Sequence, residues 1–156
     1  MEWDKKKLTK AILLPVAVGG VAGILTSGGM KEFASLNQPP LSPPGWLFPV
    51  VWTILYTLMG IASYMVLYAD TNENKFPALA IYIVQLAVNF FWPIFFFGFG
   101  WYFFSFLWLL LLWILIIWMI WKFYAISPKA AYLCIPYLLW VTFAAYLNFR
   151  IWWLNR

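Results

Sequence analysis

Trp52 and Tyr56, Gln85 and Asn89, and Trp140 and Asn148 place ring faces, amides and a phenol at helical spacing within otherwise apolar stretches. Their chemistry is stacking and hydrogen bonding, because the usual reactive sets are missing. The 156-residue chain has no histidine, and Cys134 is its only cysteine. No Ser-His-Asp or Cys-His set can be assembled, an intrachain disulfide is impossible, and a His/Cys metal site is excluded. All five acids (Glu2, Asp4, Glu32, Asp70, Glu73) lie outside the longest apolar runs, so no carboxylate pair is available there for acid–base work. Any reaction here must rest on rings, amides and hydroxyls, or on a bound molecule.

Three stripes carry these groups. Trp52, Tyr56, Met59 and Ser63 share one helical face; Tyr82, Gln85, Asn89 and Trp92 share a second; Tyr137, Trp140, Ala144 and Asn148 share a third. Polar side chains inside an apolar helix face a bundle interior or a cavity. Gln85 and Asn89 read equally well as interhelical hydrogen bonding and as ligand contacts. Three converging aromatic–polar stripes point to a pocket with flat, apolar walls and few polar groups, suited to a planar lipophilic ligand.

The elements that must position these stripes follow from composition. The chain is 65% hydrophobic and 10% charged, which places it among membrane proteins. A spanning helix needs about 20 apolar residues. The pattern predicts an all-α, integral membrane bundle of five transmembrane helices in one domain, with spans at about 8–27, 46–68, 77–97, 101–124 and 130–154. The first segment is too long, and too poor in cleavage signals, for a signal peptide. The uncharged run 76–121 is long enough for two helices, and Gly98-Phe99-Gly100 supplies the reversal between them.

Charge orients the bundle. Lys5, Lys6, Lys7, Lys10, Lys75, Lys122 and Lys129 fall on one side, and only Lys31, Arg150 and Arg156 on the other. The positive-inside rule then predicts an inside N-terminus in a multi-pass protein of the cell (plasma) membrane. The net charge of +5 reflects this topology signal and not a phosphate-binding stripe, so no nucleic-acid partner is expected.

The loop 30–45 leads into the second span through QPPLSPPG. Proline fixes φ and restricts the residue before it, so this segment has few conformations to lose on closing. It reads as a stiff lid, or alternatively as a rigid connector, with Phe33, Pro44 and Trp46 as its ligand-side candidates. Trp3, Trp101, Trp121, Trp152 and Trp153 suit an interfacial belt. Trp108, Trp113 and Trp118 are compatible with lipid, with neighbouring helices or with a dimer contact. Gly19 and Gly23 have GxxxG spacing, which permits close approach inside the bundle or between protomers.

Three blocks, PPGWLFPVVWTILYTLMG (43–60), QLAVNFFWPIFF (85–96) and PYLLWVTFAAYLN (136–148), closely resemble the tryptophan-rich sensory protein / translocator protein family, once called peripheral benzodiazepine receptors. The resemblance implies a five-helix bundle, commonly a homodimer, that binds porphyrins such as protoporphyrin IX and haem as ligands. No cofactor is required beyond that ligand. It also implies that isoquinoline carboxamides and benzodiazepines share the pocket, and it brings links to cholesterol, tetrapyrrole transport and light-dependent porphyrin degradation. Two tryptophans tied to that degradation match Trp52 and Trp140, giving them a photochemical catalytic role. The amide positions match Gln85 and Asn89, and the small pocket-lining position matches Ala144.

Two departures from the family pattern stand out. Glu32-Phe33 occupies the place of a frequent Trp-Tyr pair in the lid. The sterol motif of the last helix is broken, with Phe149 at its tyrosine and Trp153 at its basic residue, while the loose shifted match through Val141, Tyr146 and Arg150 carries little specificity. The resulting expectation is a membrane receptor or sensor for porphyrins and related flat lipophiles. The competing readings are a tetrapyrrole or lipophile transporter, which lacks an internal repeat and an intramembrane acid, and a regulatory membrane partner with a vestigial pocket.

Overall fold

The computed structural model describes residues 2–156, and among them every regular element is helical. Asp4 starts α1 (Lys5–Thr26) by accepting hydrogen bonds at Oδ1 from the backbone N–H groups of Lys6 and Lys7, at 3.0 and 3.2 Å. α2 (Gly29–Ser35) is a short helix within the lid, so the segment expected to be a stiff loop is partly helical. α3 (Leu47–Leu67) and α4 (Phe76–Pro93) follow, and α4 runs on into a π-helical turn, Ile94–Gly98. α5 (Tyr102–Ile126) is the longest helix. α6 (Pro128–Leu133) and α7 (Ile135–Leu154) make one span broken at Cys134.

Five segments are long and apolar enough to cross a membrane, in the order expected. Their ends have local causes. Proline lies in the first turn of α4, α6 and α7, where its missing N–H costs nothing. Ser127 caps α6 by accepting from the N–H of Ala130. Gly100, at φ +68°, turns the chain from α4 into α5, a conformation that a Cβ would strain.

Around the bundle, α1 packs on α3 and α4, α4 on α5, α5 on α7, and α6 closes back on α3. α1 and α3 meet most tightly away from the lid. A Cβ on Gly60 would lie 2.5 Å from the Cα of Ile12, and one on Gly19 would lie 2.0 Å from the Tyr56 ring. Gly19 therefore serves packing within the bundle. Gly20 and Gly23, both exposed, have nothing within 4 Å of such a Cβ, so the tight packing of α1 on α3 does not extend to them.

Two of the tryptophans left open by sequence link helices. Trp108 Nε1 donates to the Val88 carbonyl of α4 at 2.7 Å, and Trp113 Nε1 to Thr142 Oγ1 of α7 at 2.8 Å. Trp118 faces outward.

Candidate functional site

A cavity of about 390 Å³ lies between α1, α3 and α4. Trp52 and Tyr56 of α3, stacked with ring centroids 5.5 Å apart, form one wall. Asn89, Trp92 and Phe97 come from the α4 side, and Gly19, Gly20 and Gly23 from α1. Gly20 and Gly23 of α1 and Pro49 and Thr53 of α3 line the cavity and are also exposed, so it opens laterally between these helices.

The polar end of the cavity is one terminus of a buried hydrogen-bond chain. The Tyr56 hydroxyl donates to Asn89 Oδ1 at 2.7 Å, Asn89 Nδ2 to the Tyr137 hydroxyl at 2.6 Å, and the Tyr137 hydroxyl to Gln85 Oε1 at 2.7 Å. Gln85 Nε2 ends it on Met59 Sδ at 3.8 Å. The chain ties α3, α4 and α7 together through groups that would be costly to bury unpaired. Pro93, which lines the wall with Asn89, has no N–H to give the carbonyl of Asn89 four residues earlier.

The expected site residues are distributed as follows. Trp52, Tyr56 and Asn89 come together on the cavity. Gln85 is fully buried behind them and serves the interhelical chain. Asn148 accepts at Oδ1 from Trp92 Nε1 at 3.0 Å and donates to the Tyr102 carbonyl at 2.7 Å, joining α7 to α4 and α5. Ala144 and Asn148 border a separate void of about 20 Å³, together with Phe33 of the lid. Trp140 packs edge-on against Phe48, at 6.0 Å, and does not line the open cavity; its buried Nε1 has no hydrogen-bond partner among the described residues. Pro44 and Trp46 are exposed at the start of α3, Trp46 by 68%.

The lid is held at its far edge. The Asn37 N–H donates to Asn155 Oδ1, and Asn155 Nδ2 donates back to the Asn37 carbonyl, both at 3.0 Å. The Tyr146 hydroxyl donates to the Pro40 carbonyl at 3.1 Å. Phe33 anchors α2 from beneath, with its ring 5.5–5.9 Å from those of Phe48, Phe96 and Phe97.

Sequence reasoning missed Phe48, Phe97 and the cavity-lining glycines. Phe48 and Phe97 are two of 15 phenylalanines with no distinguishing local pattern. The glycines did carry a signal, but close helix approach was the only use it suggested.

Five membrane-spanning helices around an aromatic-walled cavity define the class: a multi-pass membrane protein with an intrabundle pocket. The chain belongs to the TspO/MBR family, whose model matches residues 11–154. It is 40% identical over 156 residues to the "Tryptophan-rich protein TspO" of Chlorobaculum tepidum, covering 97% of this chain and 99% of that one. It is 38% identical over 151 residues to the bovine "Translocator protein", covering 92% and 87%. The "Tryptophan-rich sensory protein" of Cereibacter sphaeroides is 37% identical over 123 residues, covering 79% and 76%.

Proposed function

We propose that this protein is a membrane receptor or sensor that takes up porphyrins, protoporphyrin IX or haem, and related flat lipophilic molecules into its aromatic pocket. The observation that carries this reading is the stacked Trp52–Tyr56 wall beside the Asn89 amide, in a cavity of about 390 Å³ that opens to the side of the bundle. A planar π-system gains dispersion and offset stacking on such a wall, and the few polar atoms at its end orient it. With no histidine in the chain, stacking and hydrogen bonding carry the binding without an imidazole ligand to a metal.

Light-dependent degradation is the chemical extension of the same reading. The excited pigment and oxygen supply the reactivity, and the protein supplies position. Trp52 stands at the cavity wall, whereas Trp140 lies behind Phe48, so Trp52 is the first partner of the bound ring.

The test follows the absorbance of protoporphyrin IX titrated with purified protein, first in darkness and then under light. Saturable spectral shifts followed by protein-dependent bleaching are expected. Trp52→Phe should slow bleaching more than Trp140→Phe. Absence of saturable dark binding would retire the tetrapyrrole reading, and binding without protein-dependent bleaching would leave a receptor alone.

A further inference from the structure

The candidate residues lie in two compartments separated by a wall of rings. Trp52, Tyr56 and Asn89 face the open cavity, whereas Phe33, Ala144 and Asn148 face the small void beneath the lid. Phe48, Trp92 and Phe97 line both. We propose that Phe97 is a specificity-determining residue: it divides one ligand chamber in two, and its displacement decides whether a wide planar ligand can reach α7. This inference rests on the ligand-binding reading above.

The three wall residues differ in what holds them. Trp92 is fixed by its Nε1 hydrogen bond to Asn148 and by stacking on Phe96 at 5.3 Å. Phe48 is buried in the first turn of α3, between Phe33 and Trp140. Phe97 is only partly buried and has no polar anchor. It touches Phe33, Phe48, Trp92 and Phe96 through ring edges, at 5.5, 6.4, 6.0 and 4.8 Å.

Its backbone also stands apart. Phe97 lies in the π-helical turn after Pro93, where the regular i→i+4 ladder has given way. Such turns are sites of local rearrangement and recur where helices serve ligands. The carbonyl of Phe97 abuts Gly29 at the start of α2, where a Cβ would come within 2.1 Å. The π turn and the lid helix are therefore in close contact, and a shift of one requires room from the other.

The space on the α7 side suits this arrangement. Close backbone approach between α3 and α7 is slight; rings bridge them, with Trp52 at 6.2 Å from Tyr137 and Phe48 at 6.0 Å from Trp140. Side chains can leave such a volume without separating helices. A narrow aromatic fits the open cavity with the wall in place. A disc as wide as a macrocycle spans both compartments only once Phe97 has turned aside.

The experiment compares the full-length protein with Phe97→Ala and Ala144→Leu. The probes are anthracene, a narrow three-ring hydrocarbon, coronene, a disc of macrocycle width, and protoporphyrin IX. Phe97→Ala should shift the ratio of coronene to anthracene affinity toward coronene by about tenfold, the scale of one aromatic pair. Ala144→Leu, which fills the far compartment, should shift the ratio the other way. Should Phe97→Ala not fold, Phe97→Leu should move the ratio in the same direction by less. Parallel changes for both hydrocarbons, an unmoved ratio in folded protein, or no hydrocarbon binding at all would overturn the proposal. Protoporphyrin IX reports separately: a moving hydrocarbon ratio without protoporphyrin binding upholds the divided chamber and retires the tetrapyrrole reading.

Discussion

Asn89 has two roles at the residue scale, because its oxygen accepts from Tyr56 at the cavity edge and its amide donates to Tyr137 in the core. Removing Tyr137's hydroxyl leaves Asn89 Nδ2 and Gln85 Oε1 buried without that partner. Tyr137→Phe should therefore lower unfolding stability by about 1–3 kcal/mol, the cost of stranding buried polar groups. Thermal unfolding in detergent measures it. A drop of that size would mark the amides as structural supports of the pocket, and an unchanged midpoint would show that water replaces the lost partner. The tryptophans divide in the same way. Trp92 and Trp113 spend their indole N–H on α7, while Trp52 presents its ring to open space.

At the element scale, glycine placement on α1 and α3 decides where the bundle is closed and where it is open. Gly60→Val puts a side chain into the backbone of α1 at Ala11 and Ile12. Overpacking at such a crossing typically costs about 1–3 kcal/mol, and a lowered thermal midpoint should follow. Gly20→Ala meets nothing within 4 Å and should leave the midpoint near wild type, making the pair an internal control. The lid is an element with its own fastening. Asn155→Ala removes both hydrogen bonds of the Asn37–Asn155 exchange, since the Asn155 side chain makes each of them. Limited proteolysis should then cut the 36–45 segment several-fold faster, while the spans stay protected. Equal cutting rates would show that Phe33, the prolines and the Tyr146–Pro40 hydrogen bond hold the lid without this exchange.

At the scale of the whole molecule, topology and assembly set which side the lid faces and how many copies surround it. The lysine-rich end carries Lys5, Lys6, Lys7, Lys10, Lys75, Lys122 and Lys129. In intact cells, a cysteine at exposed Leu41 in the lid should react with a membrane-impermeant thiol reagent, and one at Lys129 only after lysis; the reverse pattern would invert the proposed N-inside orientation. Buried Cys134 gives little background. Little of α1 is buried within the single chain, and its outer face meets either lipid or a second copy. Homodimerisation, which the family resemblance implies, is tested by light scattering of the protein in lipid nanodiscs: the mass of two copies per disc is expected, and that of one would retire it.

By itself the sequence determined the number and order of the five spans and placed their ends approximately, while the break at Cys134 in the last span went unread. Hydrocarbon thickness sets span length, and proline, glycine and charge mark termini through effects confined to a few residues. It also determined the three stripes, because side-chain direction repeats with helical period. Their use was not legible. Gln85, Asn89 and Asn148 show the same amide pattern along the chain, yet only Asn89 lines the open cavity, while Gln85 and Asn148 bridge helices far apart in sequence. Those partners are set by rotation and separation of whole helices, which depend on contacts such as Gly60 on Ile12 and Gly19 on Tyr56. Tertiary structure alone decided that a cavity opens between α1 and α3, that Trp140 sits behind Phe48, and that Phe97 stands between two spaces. A cavity is what packing leaves unfilled, and no local pattern in a chain records a space bounded by several helices.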